Sequence, residues 1–199
     1  MADRVKVIIF DVGGTYTQGS IEVFVNQAYG LLGIKKKIHL TKEVIFDPAL
    51  NKGTIGLEKC FEKYFHQSIS QSQMGKLRKL WLGNWQPESR MIKLVKSLKK
   101  KYRLAILSNS EAEICAHFFK KGWYEPFQPI ILSHELGVLK PGKKIYQIAL
   151  EKIGIAPGEC LFIDDQEDCL KTARGLGMKT ILFATFNQFK KDLAKKVKF

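Results

Sequence analysis

The sequence predicts an α/β fold in which helices cover both faces of a doubly wound parallel sheet, with a helical segment inserted after the first strand. Three observations lead to this prediction. Short, almost continuous apolar runs recur along the chain, as expected for strands that are buried on both faces. Segments with the helical period of about 3.6 residues separate the later runs. Residues 18–85 interrupt this alternation with helical patterns alone.

Five apolar runs form the predicted sheet. The first, residues 5–10, is interrupted only by Lys6 and ends at Asp11, which opens a glycine-rich turn. The other predicted strands are residues 103–107, 129–132, 160–163 and 180–183. Polar or acidic residues directly follow several of these runs. The strands are therefore expected to end in loops at one common edge of the sheet.

Helical periodicity fills the intervals between the later strands. The predicted helices are residues 88–101, 111–121, 143–152 and 167–176. Ser110 is expected to cap the second of these helices, because a serine side chain at this position accepts a backbone N–H. Gly122 is expected to end that helix, because glycine readily adopts the left-handed conformation. Strand–helix alternation of this kind is typical of a Rossmann-like core.

The inserted segment separates the first strand from the rest of the core. It contains two amphipathic patterns, residues 57–65 and 73–82, and no convincing buried strand. The predicted domains are an α/β core and a helical domain between its two parts. The core is formed by residues 1–17 and 86–199, and the helical domain by residues 18–85.

The composition excludes several classes of protein. The chain has 199 residues, of which 45% are hydrophobic and 26% charged, so a disordered or collagen-like chain is excluded. No apolar run approaches the roughly 20 residues of a membrane-spanning helix. The first residues do not resemble a signal peptide, and the four cysteines form no close pair. We therefore expect a cytoplasmic protein with no membrane partner.

The net charge of +14 is the one unusual bulk property. Such a charge is compatible with nucleic acid, an anionic membrane surface or phosphorylated small molecules. The lysines are scattered over the predicted helices, and no nucleic-acid-binding motif is recognisable. Solvated helix faces are therefore the favoured explanation, and nucleic acid is disfavoured as a partner.

Side chains with matching chemistry occupy the expected edge of the sheet, where ligands bind in folds of this kind. They are Asp11, Ser108, Lys140 in the loop 133–140, and the pair Asp164 and Asp165. Carboxylates together with a backbone carbonyl form a hard oxygen site that suits Mg²⁺. A hydroxyl, backbone amides and a lysine suit the oxygens of a phosphate group. The set is typical of a site where a carboxylate attacks phosphorus while cations offset the phosphate charge.

Four motifs carry these side chains in a recognisable order. They are VIIFDVGGT with Asp11, LSNS with Ser108 and Asn109, GVLKP with Lys140, and FIDD with Asp164 and Asp165. In this order they resemble the motifs of the haloacid dehalogenase superfamily, whose members are mostly Mg²⁺-dependent phosphatases. The resemblance spans residues 5–183.

The resemblance implies a role for each matching residue. Asp11 would be the nucleophile that forms an aspartyl-phosphate, and Ser108, Asn109 and Lys140 would bind the phosphate of a small-molecule ester. The implied ligands of Mg²⁺ are the carboxylates of Asp11 and Asp165 and the carbonyl of Gly13, with Asp164 acting through water or hydrogen bonds.

The resemblance also gives the inserted segment a function. Residues 18–85 would form a helical cap that closes over the site, excludes water and selects the substrate. The aromatic residues Tyr64, His66, Trp81 and Trp85 are candidates to line the cleft, but most of them are expected simply to pack this cap, so we do not count them among the site residues. The protein is expected to act as a monomer or a homodimer.

Two positions depart from the family pattern. Gly13 stands where most of the phosphatases have a second aspartate, the general acid and base, whose loss typically costs about 10²–10⁴ in rate. Cys169 stands where the family usually has Asn or Asp, and the preceding Asp168 is a candidate for that role.

The departure at Gly13 leaves three interpretations. The first is a phosphatase that acts on a good leaving group or uses another proton donor. The second is a 2-haloacid dehalogenase, which forms an ester on Asp11 without a metal because a halide needs no proton. The third is a catalytically degenerate binding protein. The acidic pair Asp164–Asp165 and the cation Lys140 favour the phosphatase.

Overall fold

The computed structural model describes residues 5–35 and 47–198. The strands of this part are β1 (Val7–Phe10), β2 (Thr17–Gln18), β3 (Gln86–Pro87), β4 (Arg103–Ser108), β5 (Ile130–Leu132), β6 (Cys160–Asp164) and β7 (Lys179–Leu182). Its helices are α1 (Ile21–Leu32), α2 (Pro48–Asn51), α3 (Leu57–Phe65), α4 (Gln71–Gly83), α5 (Ser89–Lys99), α6 (Ala112–Lys120), α7 (Ser133–Leu136), α8 (Lys143–Ile153), α9 (Glu167–Gly175) and α10 (Phe186–Ala194). The predicted domain ranges also contain residues 1–4, 36–46 and 199, which lie outside the described residues.

The predicted α/β fold is confirmed. Five strands form one parallel sheet in the order β5-β4-β1-β6-β7, and helices connect its later strands. Each of the five predicted strands is present, with its ends within two residues of the prediction. A second, antiparallel pair joins β2 to β3 where the chain leaves the core and returns to it. Two residues per strand are too few to show a period, so this pair was not predicted from the sequence.

Burial on both faces of the sheet explains the continuous apolar runs. In β1, Ile8 and Phe10 belong to one hydrophobic cluster, whereas Val7 and Ile9 belong to a second cluster on the opposite face. The first cluster also includes the apolar side of the inserted helices, among them Phe24, Phe61 and Trp81. One continuous core therefore supports both the central strands and the inserted segment.

The predicted cap of α6 is wrong. Glu111, not Ser110, occupies the N-cap, because its longer side chain reaches the N–H groups of both Glu113 and Ile114. Ser110 instead lies between two other groups: its hydroxyl accepts from the thiol of Cys115, and its N–H donates to the hydroxyl of Ser133.

The described part of the chain offers no helix with the length and apolar character that crossing a bilayer requires.

Candidate active site

The candidate site lies where β4, β1 and β6 end side by side. Phe10 pairs with Ile106 of β4 and with Ile163 of β6, so Asp11 emerges beside the last residues of both neighbours. A hydrogen bond of 2.8 Å from the N–H of Asp11 to the carbonyl of Ile163 fixes its backbone there. Parallel strands therefore bring residues together that are more than 150 positions apart, such as Asp11 and Asp164.

Lys140 is the centre of the charged cluster. Its Nζ lies 2.6 Å from Oδ1 of Asp11 and 2.6 Å from Oδ2 of Asp164. Only 6% of Lys140 and none of Asp164 is exposed, so both ion pairs are shielded from water. The second oxygen of Asp164 accepts the N–H of Gln166 at 2.8 Å, which fixes this carboxylate from the other side.

Burial and charge act against each other in this cluster. Burial raises the pKa of Asp11 to about 7, although Lys140 opposes this rise. Burial alone would lower the pKa of Lys140, but the carboxylates of Asp11 and Asp164 outweigh it and raise that pKa. Lys140 is therefore a firmly held cation, and a further cation near Asp11 would favour the ionised carboxylate.

The carboxylates fit a divalent cation. Asp11, Asp164 and Asp165 each offer an oxygen, and these oxygens lie within 4.8 Å of one another. Three ionised carboxylates and one lysine leave a net charge of −2, which is the charge that Mg²⁺ would balance. Gly14 makes this approach possible: its φ is +77°, and a Cβ on it would lie 2.5 Å from Oδ2 of Asp165. Oxygen donors are also the ligand type that Mg²⁺ prefers.

Asn109 holds the backbone of Lys140 at two points. Its Nδ2 donates to the carbonyl of Lys140 at 2.9 Å, and its Oδ1 accepts the N–H of Lys140 at 2.9 Å. Both ends of the carboxamide are thus used to position Lys140, a contact that the sequence did not reveal. Ser108 is buried beside Asn109, and its hydroxyl donates a long hydrogen bond of 3.4 Å to the carbonyl of Asn109.

Two cavities meet at this site. The acidic cavity, of about 210 Å³, is bordered by Asp11, Lys140 and Asp165. The apolar cavity, of about 60 Å³, has a mostly apolar surface, although polar residues such as Ser108 and Glu111 also border it. The apolar residues are Val12, Trp81, Trp85, Ile114 and Phe118. Gly13, Trp85 and Asn109 border both cavities, so the two cavities lie side by side.

The sequence did not identify two residues that border these cavities as part of the site. Trp85 was left out of the site because most of these aromatic residues were expected to pack the inserted segment, yet it borders both cavities. Gly19 gives it room, since a Cβ on Gly19 would lie 2.5 Å from Cε3 of Trp85. Trp81, also expected to pack, is 3% exposed and borders the apolar cavity.

Glu111 was also missed. Its Oε1 accepts the indole N–H of Trp81 at 3.0 Å and the backbone N–H of Ile114 at 2.7 Å. Its Oε2 accepts the backbone N–H of Glu113 at 2.6 Å, and burial raises its pKa. The sequence signal available was its place directly after the LSNS motif, at the start of a predicted helix.

The alternative ligand Asp168 lies apart from the acidic cluster. Its side chain is exposed, and the cluster of possible metal ligands among the described residues does not include it. Cys169 is 2% exposed, and its carbonyl accepts the hydroxyl of Tyr146 at 2.9 Å. The departure from the family pattern at this position therefore leaves a buried thiol close to Lys140.

The order and geometry of the motifs agree with a comparison against protein families. A family model described as haloacid dehalogenase-like hydrolase matches residues 5–177. The chain belongs to this family. Among curated relatives of this hydrolase, D-ribitol-5-phosphate phosphatase of Bacteroides thetaiotaomicron is 22% identical over 188 residues, which are 88% of this chain and 90% of the relative. Bifunctional epoxide hydrolase 2 of Rattus norvegicus is 41% identical over 56 residues, 28% of this chain and only 10% of the relative.

Solved structures share the fold of this haloacid dehalogenase-like hydrolase. The family enzyme bt-2542 of Bacteroides thetaiotaomicron has a TM-score of 0.79 at 21% identity, covering 96% of this chain and 98% of its own. Its wild-type complex with magnesium and inorganic phosphate has a TM-score of 0.75 at 22% identity, covering 92% and 96%. An L-2-haloacid dehalogenase has a TM-score of 0.68 at 20% identity, covering 93% and 86%. A family enzyme that binds magnesium and inorganic phosphate and an L-2-haloacid dehalogenase therefore share this fold.

Proposed function

We propose that this hydrolase is a Mg²⁺-dependent phosphatase that hydrolyses a small phosphorylated metabolite through an aspartyl-phosphate on Asp11. The observation that carries the proposal is the buried cluster at the end of the sheet. There Lys140 lies 2.6 Å from both Asp11 and Asp164, beside a third carboxylate and a cavity of about 210 Å³. Such a cluster pairs a carboxylate nucleophile with the cations that a phosphate group needs.

Each side chain then has a distinct task. Lys140 holds Oδ1 of Asp11, so Oδ2 is the oxygen that attacks phosphorus. An ammonium group has three N–H donors, of which Lys140 uses two on Asp11 and Asp164 and offers the third to a phosphate oxygen. The Ser108 hydroxyl binds a second phosphate oxygen, and Asn109 keeps Lys140 in position. These contacts orient the phosphate for attack along one direction.

The carboxylates of Asp11 and Asp165 and the carbonyl of Gly13 would hold Mg²⁺, with Asp164 orienting the cluster through Lys140. When bound, Mg²⁺ offsets the negative charge that builds up on the phosphate group. The three clustered carboxylates support this assignment, as does the similarity in fold to an enzyme crystallised with magnesium and inorganic phosphate.

The inserted residues 18–85 act in this proposal as a cap on the core formed by residues 1–17 and 86–199. Three contacts support it. Trp81 of α4 donates to Glu111, Arg78 of the same helix pairs with Glu113 at 2.9 Å, and the hydroxyl of Ser133 donates to the carbonyl of Asn51 at 2.6 Å. All three join the segment to the core, and two of them, through Trp81 and Asn51, do so at residues that border the apolar cavity.

The relative from Bacteroides thetaiotaomicron, named as acting on D-ribitol 5-phosphate, supports a small phosphate ester as the partner of this enzyme. A 2-haloacid dehalogenase is the second candidate function. Gly13 favours it, because a halide leaves without a proton and so needs no acid at this position. The two further carboxylates, Asp164 and Asp165, favour the phosphatase, because a metal-free reaction on Asp11 needs no acidic pair beside it.

Hydrolysis of p-nitrophenyl phosphate tests the proposal. We expect turnover with Mg²⁺, its loss with EDTA, and its loss in Asp11→Asn, which is nearly isosteric. The same substitution at the distant Asp192, which pairs with Lys195, is the matched control and should leave turnover unchanged. Chloride release from 2-chloropropionate that resists EDTA would replace the phosphatase by the dehalogenase. Neither activity, with a folded protein, would leave a binding protein.

A further inference from the structure

We propose that one side of this protein binds the phosphate backbone of nucleic acid without reading its sequence. This side, the basic face, consists of residues 89–101 and 186–198. The first segment forms α5 and the residues directly after it, and the second forms α10 and the residues that follow. The inference goes beyond the proposed phosphatase and uses none of its site residues.

The basic face carries most of the protein's net charge. Its 26 residues include eleven of the 33 lysines and arginines but only one of the 19 aspartates and glutamates, Asp192. The face therefore has a net charge of +10, whereas the other 173 residues together carry +4. Its two segments are far apart along the chain, which is why the lysines look scattered in the sequence.

The fold places the two segments side by side. At their starts, the guanidinium of Arg90 donates to Oδ1 of Asn187 at 3.4 Å and lies 4.7 Å from the ring centre of Phe186. Near their ends, the N–H of Lys198 donates to the hydroxyl of Tyr102 at 2.9 Å. The buried sides of both helices belong to the same hydrophobic cluster. The helices therefore run in the same direction on one face of the sheet.

Helical spacing arranges exposed lysines of the face in two stripes, because residues three, four or seven positions apart lie on one side of a helix. The stripes are Lys93, Lys96 and Lys100 on the first segment, and Lys191, Lys195 and Lys198 on the second. At 1.5 Å per residue, each stripe is about 10 Å long. One strand of a duplex presents a phosphate about every 3.4 Å along the axis, so each stripe can face about three phosphates.

Few carboxylates balance these cations. Asp192 pairs with Lys195 at 2.7 Å, and Glu88, directly before the face, pairs with Arg90. Within the part of the chain that the structure describes, no carboxylate forms an ion pair with any other lysine of the face. Like charges three or four positions apart, such as those of Lys93 and Lys96, destabilise a helix. The arrangement is therefore unfavourable for the protein alone and is relieved by an external polyanion.

The helices on the other face of the sheet show the usual mixture of charges. Together α8 and α9 carry five lysines and arginines and three carboxylates. Both signs interspersed are typical of a helix side that only meets solvent. The basic face differs because it has one sign of charge over a comparable length. Exposure to solvent therefore explains α8 and α9 better than it explains α5 and α10.

A nucleic-acid backbone fits this face better than a membrane surface does. Anionic lipids also attract lysines, but helices that lie on a membrane insert apolar side chains as well. Among the described residues, the exposed large apolar side chains are Val23, Phe119 and Leu182, and all three lie outside the basic face. Two parallel stripes of lysines suit a linear polyanion. Contacts to phosphates carry no sequence information, so the binding is expected to be independent of sequence.

The basic face extends away from the candidate active site. Because α5 ends at Lys99 and β4 begins at Arg103, the lysines at the end of α5 lie near the edge where the strands begin. The candidate site lies at the opposite edge, where β4, β1 and β6 end. We therefore expect nucleic acid to bind independently of Asp11.

Fluorescence anisotropy with a labelled DNA duplex of about 20 base pairs tests the proposal. With about four to six phosphate contacts, the affinity of the wild-type protein should fall about 10²–10³-fold between about 50 mM and about 200 mM salt. A duplex of unrelated sequence should bind with the same affinity. Asp11→Asn should bind like the wild type, so failure of the phosphatase proposal would leave this test valid.

Two variants with equal net charge locate the binding surface. The face variant combines Lys93→Gln, Lys96→Gln, Lys100→Gln and Lys191→Gln. The control variant combines Lys143→Gln, Lys144→Gln, Lys152→Gln and Lys171→Gln, all at exposed positions of α8 and α9. The face variant should bind the duplex at least about 10-fold more weakly at low salt, with the slope of log affinity against log salt reduced by about 3–4. The control variant should bind nearly as tightly as the wild type.

Thermal denaturation establishes that both variants fold, and the face variant should hydrolyse p-nitrophenyl phosphate at the wild-type rate. Equal weakening of duplex binding in the two variants would overturn the proposal, because binding would then follow net charge and not this face. Absence of salt-dependent duplex binding by the wild-type protein would also overturn it. Tighter binding to phosphatidylserine vesicles than to the duplex, lost in the face variant, would assign the face to a membrane surface instead.

Discussion

Replacing Lys140 by methionine should destabilise the protein strongly, and bound Mg²⁺ should reverse part of the effect. The substitution keeps an unbranched side chain but removes the cation that lies 2.6 Å from both Asp11 and Asp164. These carboxylates are 6% and 0% exposed, so removing the cation leaves two carboxylates that are largely shielded from water. Breaking a buried ion pair costs about 3–5 kcal/mol. For a chain of this length that free energy lowers the melting temperature by about 6–20 °C.

Unfolding in urea, followed by circular dichroism in EDTA, measures this loss. Lys143→Met removes a lysine that is exposed three residues along the chain, and it should change the free energy of unfolding by about 0.5 kcal/mol or less. Added Mg²⁺ should stabilise Lys140→Met more than the wild-type protein, because three carboxylates then bind the ion without a competing cation. Equal stability of Lys140→Met and the wild type in EDTA would refute this reasoning.

Two further predictions concern the metal cluster and the inserted segment. Gly14→Ala places a Cβ 2.5 Å from Oδ2 of Asp165 and so displaces a proposed metal ligand. Activity of this variant should require about 10–100-fold more Mg²⁺. Gly75→Ala is the control: its Cβ meets open space, and the Mg²⁺ requirement should not change. Asp47→Asn removes the charge that pairs with Lys63 at 2.6 Å and should cost about 1–3 kcal/mol near pH 7. Burial alone would raise the pKa of Asp47, but the hydrogen bond from Lys63 outweighs burial together with the backbone hydrogen bonds and lowers the pKa below its ordinary value of 3.8. The ionised Asp47 therefore stabilises the folded protein at pH values above 3.8. This stabilisation is lost as the pH falls through the lower pKa of the folded state. Urea unfolding of both proteins from pH 7 to 3 should therefore show their stabilities converge.

The fold could be predicted from the sequence because its signals are local. β1 packs on both faces, so an apolar run of a few residues was sufficient to recognise it. The pair β2–β3 was missed because two residues per strand carry no period. The cap of α6 was assigned to Ser110 from residue preference, but the geometry favours Glu111, whose longer side chain reaches two N–H groups.

The part of the candidate site that lies at the ends of the strands could be predicted from the sequence, because the order of the strands determines which residues meet there. Asp11 and Asp164 end neighbouring strands, so their approach follows from the order of the sheet. Two other features depend on how distant segments of the chain pack, which a local sequence pattern does not show. They are the two hydrogen bonds between Asn109 and the backbone of Lys140, and the position of Trp85 at both cavities. The same is true of Glu111, whose partner Trp81 lies 30 positions away on another helix.

The most direct test of the central claim is chemical trapping of the nucleophile during turnover. The reaction is quenched while the enzyme hydrolyses p-nitrophenyl phosphate with Mg²⁺. Borohydride then reduces any aspartyl-phosphate to homoserine, and peptide mass spectrometry locates the modified residue. The account predicts conversion of Asp11 alone, and none in a sample without substrate. Steady turnover with Asp11 unmodified, or trapping at another residue, would contradict it.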